Sequence, residues 1–521
     1  MNIFEQNIAN EIIEKYSLKE KQKDFFLMLI DGVNVYLGGN AGTGKSHLIR
    51  AFIEFCERVD RKILKSASTG IAAVNIGGVT IHSLFGLGTN DLQTLNLVKP
   101  VKSLPEKVKK VIQIAATLIV DEISMLRIDL FDKIMSYVLM ENDRRMKAGK
   151  KPLQLVFIGD FFQLAPVIKK DEDDIILKNA YGKDVGAGFC FQSKLWRSMG
   201  MKLCMLTEIV RQSDAEFCKA LDACKVGDID CLEYFSKNTA KAEIKDAIWL
   251  YGKNASAFEK NKECLNAIKK PIKCFEAQYS GSATKDDGIC EDKLWLKEGA
   301  RVLMTANDTS HRFYNGSMGT IVKFGSEYIG VRIDGDNGIV TVERKNYEKR
   351  EYIEESVSET ITNPDGTQSE KTTSTLKLKT TGSVEQFPMK LGYAITIHKS
   401  QGQTYEKMNL APEIFAIGQL YVALSRCKAV ENIYIDRPLD RSMLRTSKQV
   451  MAYYDSPETY SFFGEDENVV SILVAKKHKN IMERLEKSLT GREDEFIKLL
   501  REFEKRKTSD GVQLSLLDEA V

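Results

Sequence analysis

Apolar positions along the chain fall into two textures. In the first, compact apolar runs alternate with stretches of helical spacing. Residues 18–31 read as an amphipathic helix with Phe25, Phe26, Leu29 and Ile30 on its apolar side. A β-branched, aromatic run at 33–37 follows, then a helical pattern over 47–55 and a short strand at 62–65. Residues 117–125 read as a buried strand ending in adjacent carboxylates, and 153–158 as another buried strand. Near-continuous apolar runs mark strands buried on both faces, and their alternation with helices predicts a doubly wound parallel sheet. From 206 to 295 helix and strand patterns still alternate, with a core strand at 247–251.

After Trp295 the second texture begins. Short β runs at 301–305, 319–323, 328–333 and 339–343 are separated by turn signals such as Asn315-Gly316 and 334–338, which predicts a small barrel. Residues 352–362 and 367–378 form polar, Thr-rich arms around Asn363-Pro364-Asp365-Gly366, the pattern of a long β-hairpin. That hairpin either closes over a ligand strand or is a solvated ornament. The chain is expected to return to a parallel sheet near Phe387. Residues 481–489 and 496–503 carry apolar residues at helical spacing, interrupted by Gly491, and 505–511 read as a linker.

The chemistry sits at the ends of the apolar runs. Gly39-Asn40-Ala41-Gly42-Thr43-Gly44-Lys45-Ser46 lies between a strand and a helix. Glycines in that position turn backbone N–H groups onto an anion, Lys45 can reach β- and γ-phosphates, and the Ser46 hydroxyl can bind Mg²⁺. Asp121, at the end of the second buried strand, is placed to hold Mg²⁺, with Glu122 polarising the attacking water. Gln163 follows the third such strand, where it could sense a γ-phosphate. Gln22 could pair with the N6 and N7 edge of adenine, or simply face solvent. Residues 66–73 and 77–83 are small and hydroxyl-rich, suited to touching a phosphodiester backbone; without other support they read as a loop and a helix start. The basic loop 144–151 could touch phosphates or be a solvated charge run.

Composition narrows the class without deciding it. With 521 residues, 43% hydrophobic and 28% charged, the chain is ordinary for a soluble globular protein, and at ~150 residues per domain it should hold about three or four domains. A net charge of +2 still allows a local basic groove. Ten cysteines spread from Cys56 to Cys427 without a Cys-x-x-Cys pair read as reduced thiols, not a disulfide framework or zinc site. No signal peptide is expected in residues 1–16, and no apolar run is long enough for a membrane span. A cytoplasmic protein, nucleoid-associated if bacterial, is the expectation.

Further along, residues 207–212 supply Arg211-Gln212, residues 394–404 read Ala-Ile-Thr-Ile-His-Lys-Ser-Gln-Gly-Gln-Thr, and 418–426 read Gly-Gln-Leu-Tyr-Val-Ala-Leu-Ser-Arg. Together with 39–46, 68–83, 121–125 and 159–166, this resembles the ordered motif set of a superfamily 1 helicase. The wording is similar to the Pif-like branch, related to RecD and the phage Dda helicase, as is the stretch 122–132. The resemblance covers roughly 15–440. It implies an α/β fold of two RecA-like P-loop domains with parallel sheets, an inserted SH3-like β-barrel, and ATP with Mg²⁺ in the cleft between the domains. Single-stranded DNA would cross both domains, with movement 5′→3′. By the same match Arg211 and Arg426 are arginine fingers, Gly402 joins the nucleotide set, and Thr69, Gly70, Thr80, His82, Ser83, His398, Ser400 and Thr404 are strand or coupling contacts.

The resulting plan places the first RecA-like domain at 1–195, with a short wedge-type insertion at about 87–110. The second domain occupies 196–298 and 385–440, the barrel and hairpin 299–384, a helical extension 441–508 and a flexible tail 509–521. In the tail, Gln513, Leu514, Leu516 and Leu517 resemble the peptide with which bacterial proteins dock on the sliding clamp. The expected protein is a monomeric ATP-dependent helicase acting on single-stranded and forked DNA. The alternatives are a motor subunit of a RecD-like nuclease complex and a clamp-associated ATPase adaptor that does not unwind.

Overall fold

The computed structural model describes residues 2–87, 94–98, 105–168, 171–208, 212, 214–336, 338–362 and 368–455. Six parallel strands build the first sheet: β1 (Val35–Gly39), β2 (Ile63–Ala67), β3 (Val79–Thr80), β4 (Thr117–Asp121), β5 (Gln154–Ile158) and β6 (Lys202–Leu206). Their spatial order is β3-β2-β4-β5-β1-β6. Every residue of β1 and β5 is buried, because helices cover both faces. One face packs Phe26, Phe52 and Phe55 against Leu37 and Ile158; the other packs Phe131, Phe157 and Trp196. Since β5 lies between β1 and β4, the chain leaving β5 emerges between the phosphate-loop end and the carboxylate end. That adjacency places the site.

β6 corrects the expected boundary at 195. It pairs in parallel along all of β1, from Val35↔Lys202 to Gly39↔Leu206, so the first domain runs to Leu206. The second domain has a four-stranded parallel sheet: β7 (Ile248–Tyr251), β18 (Ala394–Thr396), β19 (Met408–Leu410) and β20 (Ile433–Ile435), ordered β18-β7-β19-β20.

Between β7 and β18 the described residues make ten antiparallel strands. β8 (Lys273–Glu276) pairs with β10 (Lys293–Leu296), whose Leu294 and Leu296 share a core with β11 (Arg301–Met304), β12 (Met318–Phe324), β13 (Tyr328–Ile333), β14 (Val340–Glu343) and β17 (Met389–Leu391). The last five form one sheet, β14-β13-β12-β11-β17. The insertion therefore begins near Lys273, not 299, and ends after Leu391 instead of near Phe387. The hairpin is longer than its Thr-rich arms: β15 (Lys345–Thr362) and β16 (Gln368–Gln386) pair throughout, with β9 (Gln278–Gly281) added along the base.

The hairpin does not simply project. Tyr352 is buried against the first domain, where its hydroxyl accepts the Lys65 N–H at 2.9 Å. Leu376 and Leu378 pack on the same core, and Lys107 and Lys110 pair with Glu351 and Glu354. The helix Glu106–Ile114 supplying those lysines begins at the end of the expected wedge insertion and runs past it; of that insertion 88–93 and 99–104 are outside the described residues.

After β20 the chain recrosses to the first domain. The helix Lys448–Tyr454 seats Tyr453 against Phe191, with ring centroids 4.4 Å apart, and stacks Tyr454 on Phe162 at 5.0 Å. The Tyr454 hydroxyl meets that of Tyr36 at 2.8 Å. The expected helices at 481–489 and 496–503, the tail with Gln513 to Leu517, and Arg211 lie outside the described residues. Among the described residues, no helix is long and apolar enough to cross a membrane.

Candidate functional site

The loop between β1 and the helix Lys45–Arg58 has Gly42 and Gly44 in left-handed conformations, with φ of 81° and 88°. Side-chain-bearing residues reach this region only with strain, and a Cβ on Gly44 would lie 2.8 Å from the Gln22 amide nitrogen. Lys45 folds over the loop, its Nζ donating to the Gly39 and Asn40 carbonyls at 2.6 and 2.9 Å. Ser46 is exposed in the helix's first turn. Gln22 is buried, not solvent-facing; its Oε1 accepts the Lys19 N–H at 3.1 Å while its amide abuts the loop.

Asp121 ends β4 and accepts the Glu122 N–H at 2.8 Å. Glu122 has φ +52°, a strained conformation for a non-glycine residue, held by Ser68 Oγ donating to the Glu122 carbonyl at 2.7 Å. Burial raises the Asp121 carboxyl above its usual range, against the pull of Lys45. Burial and the neighbouring Asp121 raise Glu122 to about 7, with Lys45 and Arg426 opposing. A glycine loop at a helix N-terminus, an ammonium over it and two carboxylates opposite form a donor set suited to a polyphosphate with Mg²⁺. Ser46 and Asp121 are the residues that would hold the ion.

Gln163 follows β5, the strand between β1 and β4, and its amide donates to Asp160 Oδ2 at 3.2 Å. The second domain closes over it from above. Gly418, at φ +72°, approaches so closely that a Cβ would sit 2.1 Å from the Gln163 carbonyl oxygen. Tyr421 accepts the Ala41 N–H at 3.2 Å, and Asn40 is bracketed by Asp222 at 2.8 Å and Lys225 at 2.9 Å. Arg426 is fully buried, donating to the carbonyls of Val422 and Gln403 and to Ser425 Oγ. Burial lowers its pKa and the charge of Glu122 raises it, so the guanidinium lies within the electrostatic reach of that carboxylate.

One contact bridges the cleft at its centre. Gln401 Nε2 donates to Glu122 Oε2 at 3.0 Å and approaches Gln163 Oε1 at 3.4 Å. Gln401 follows the short turn His398–Ser400 at the carboxyl end of β18. Of the expected strand contacts, Thr69 and Thr80 cap short helices, accepting the Ala72 and Ser83 N–H groups at 3.3 and 3.2 Å. Gly70, Ser83 and Gly402 are exposed, while His82, His398 and Thr404 are half-buried. Ser400 is a correction: its fully buried hydroxyl donates to the Ile397 carbonyl at 2.7 Å, so in this arrangement it fixes the turn and does not face a strand.

Sequence reasoning missed Gln401, Tyr421, Asp160, Asp222 and Lys225. The first two stand inside the motifs at 394–404 and 418–426, so a signal was present. Asp222 and Lys225 show only helical i, i+3 spacing, which by itself signals nothing beyond a surface pair.

Two parallel-sheet domains meeting over such a loop define a P-loop nucleotide hydrolase of the RecA-like kind. The family model described as PIF1-like helicase matches residues 17–230. The ATP-dependent DNA helicase Pif1 of Campylobacter jejuni is 31% identical over 417 residues, covering 75% of this chain and 86% of that one. Among solved structures, a Bacteroides Pif1 in complex with ADP-AlF4 is 26% identical, with a TM-score of 0.70 over 85% of this chain and 98% of that one. A Bacteroides Pif1 bound to ssDNA is 27% identical, with a TM-score of 0.58 over the same shares. The chain belongs to the PIF1-like helicase family.

Proposed function

We propose that the chain is an ATP-dependent DNA helicase that moves 5′→3′ on single-stranded DNA and opens forked duplex, acting as a monomer. The observation that carries this reading is the Gln401 bridge. A turn expected to touch DNA through His398 ends in an amide hydrogen-bonded to the expected water-activating Glu122 and next to Gln163. DNA that shifts this turn would move the amide against the base, so hydrolysis and strand contact are coupled by one side chain.

In this reading Lys45 and the N–H groups of 39–46 bind the β- and γ-phosphates and Gln22 meets the base. Glu122 takes the proton of the attacking water, and Gln163, ordered by Asp160, registers the γ-phosphate. Arg426, with Arg211, stabilises charge on the transferring phosphoryl. Mg²⁺, when bound, neutralises phosphate charge. The strand runs past Thr69, Gly70, Thr80, His82 and Ser83 on the first domain and past His398 and Thr404 on the second, with Gly402 on the nucleotide side. The docked hairpin crosses beside the first of these segments and would close over the strand.

Partial duplexes with 5′ or 3′ single-stranded tails test the reading directly. Unwinding is expected only with ATP and only from 5′ tails. Lys45→Ala should lower DNA-stimulated ATPase by about 10²–10³-fold, the scale of removing one preorganised charge-stabilising donor. Unwinding from 3′ tails alone, or ATPase indifferent to DNA, would overturn it.

Gln401→Ala separates coupling from chemistry. DNA-free ATPase and strand affinity should stay within about 2-fold, while DNA-stimulated kcat falls about 10-fold or more, the cost of about 1.4 kcal/mol of lost alignment. Equal losses with and without DNA would make Gln401 a structural residue only.

The tail residues Gln513, Leu514, Leu516 and Leu517 are proposed to dock on a bacterial sliding clamp, supported by their pattern alone, which would bring the protein to the nucleoid. Removing 513–521 should abolish capture by immobilised clamp at unchanged unwinding; undiminished capture would discard the interaction.

A further inference from the structure

The face of the second domain that carries His398 also carries an apolar side chain with no part in the nucleotide site. Phe415 lies in the loop between β19 and the helix Gln419–Leu424 and is 49% exposed. Single exposed apolar residues are common and need no explanation. Two features set this one apart.

The first is its anchoring. The N–H groups of Phe415 and Ala416 both donate to the buried Gln419 Oε1, at 2.8 and 3.0 Å. On one side Ile414 packs into the second domain's core, and Glu413 accepts from Ser256 Oγ at 2.9 Å. The backbone that carries the exposed ring is thus fixed by hydrogen bonds on both sides.

The second is its neighbour. The Phe415 and His398 rings lie 23° from parallel with centroids 6.2 Å apart. Burial lowers the His398 pKa, which favours a neutral ring beside the phenyl group. Two near-parallel rings at the carboxyl end of a parallel sheet offer a flat surface, and one of them, His398, stands three residues before Gln401. A 6.2 Å separation is short for a base to enter between them, so a base would lie on the open face of Phe415.

We propose that Phe415, backed by His398, is a base-stacking platform that holds one nucleobase of the single strand on the second domain. The proposal rests on the DNA-translocating reading above. It adds a contact to the base, whereas the hydroxyl and glycine positions of the first domain suit only the backbone. Because every base has a π-face, the platform would be indifferent to sequence, as a translocating enzyme requires. Through His398, which opens the turn leading to Gln401, it also ties the position of one base to the hydrogen bond at Glu122.

The test compares binding of the full chain to oligothymidylate and to an abasic oligonucleotide of equal length, for wild type, Phe415→Ala and Phe415→Tyr. Wild type should prefer oligothymidylate by about 10-fold, within the range one stacked base is worth. Phe415→Ala should lose that preference through weaker oligothymidylate binding, with abasic binding and DNA-free ATPase unchanged; Phe415→Tyr should retain it. Equal loss on both strands, or no loss on either, would overturn the platform while leaving the helicase reading intact. Failure of wild type to bind either oligonucleotide would overturn both.

Discussion

Arg426→Lys is expected to lower DNA-stimulated kcat by about 10³-fold or more, the lower end of what an arginine finger contributes to phosphoryl transfer. Lysine is the informative substitute because Arg426 is fully buried and three of its N–H groups already serve Val422, Gln403 and Ser425. Truncation to alanine would strand those partners and confuse catalysis with folding. An ammonium keeps the charge but loses the planar fork that can hold its own domain and still present donors to the nucleotide. Nucleotide affinity should change by only a few-fold, because the charge it answers develops in transfer. Single-turnover hydrolysis with mixing faster than turnover checks this, alongside binding of a fluorescent ADP analogue. A loss confined to KM would instead make Arg426 a ground-state contact.

Glu122→Gln should leave nucleotide bound and hydrolysis slowed by about 10²–10⁴-fold, the usual contribution of a positioned general base. The amide matches the carboxylate in size, and its oxygen can still accept from Gln401. What disappears is the capacity to take a proton. Burial and Asp121 raise this carboxyl well above an ordinary glutamate's, which makes it a stronger base than a solvated one. Rapid-quench hydrolysis and strand binding in the presence of ATP would check the prediction, the variant holding DNA in its ATP-bound form. Turnover within a few-fold of wild type would move the role to another group.

The half of the site that lies on one domain was legible in the sequence because its parts are local. The glycine spacing of 39–46, the carboxylates closing 117–122 and the glutamine at 163 each follow a short apolar run whose length and flanking residues mark it as a buried strand. The opposing half was legible only as motif wording. Arg426 and His398 stood out by resemblance, but Gln401 and Tyr421 act on groups some 280 and 380 positions away, and no local pattern encodes such a partner. Boundaries failed for related reasons. β6 is five residues long with an exposed Lys202 at its start, and only its pairing along β1 assigns it to the first domain and not to the second, where 196–298 was expected. The hairpin's lower arms are rich in charge, and only their pairing with each other and with β9 reveals them as strand.

The recrossing of the chain through Lys448–Tyr454 has a thermodynamic side. Two lobes joined by one linker explore a wide range of separations when apart, and each closure must give up that freedom. Here the chain passes from one lobe to the other after Leu206, and the lobes meet again where Tyr453 and Tyr454 lock into the aromatic cluster around Tyr36 and Phe162. A second tether removes most of the distant arrangements from the open ensemble, so less conformational entropy is surrendered at each cycle. More of the binding free energy of the nucleotide is then left for displacing the strand.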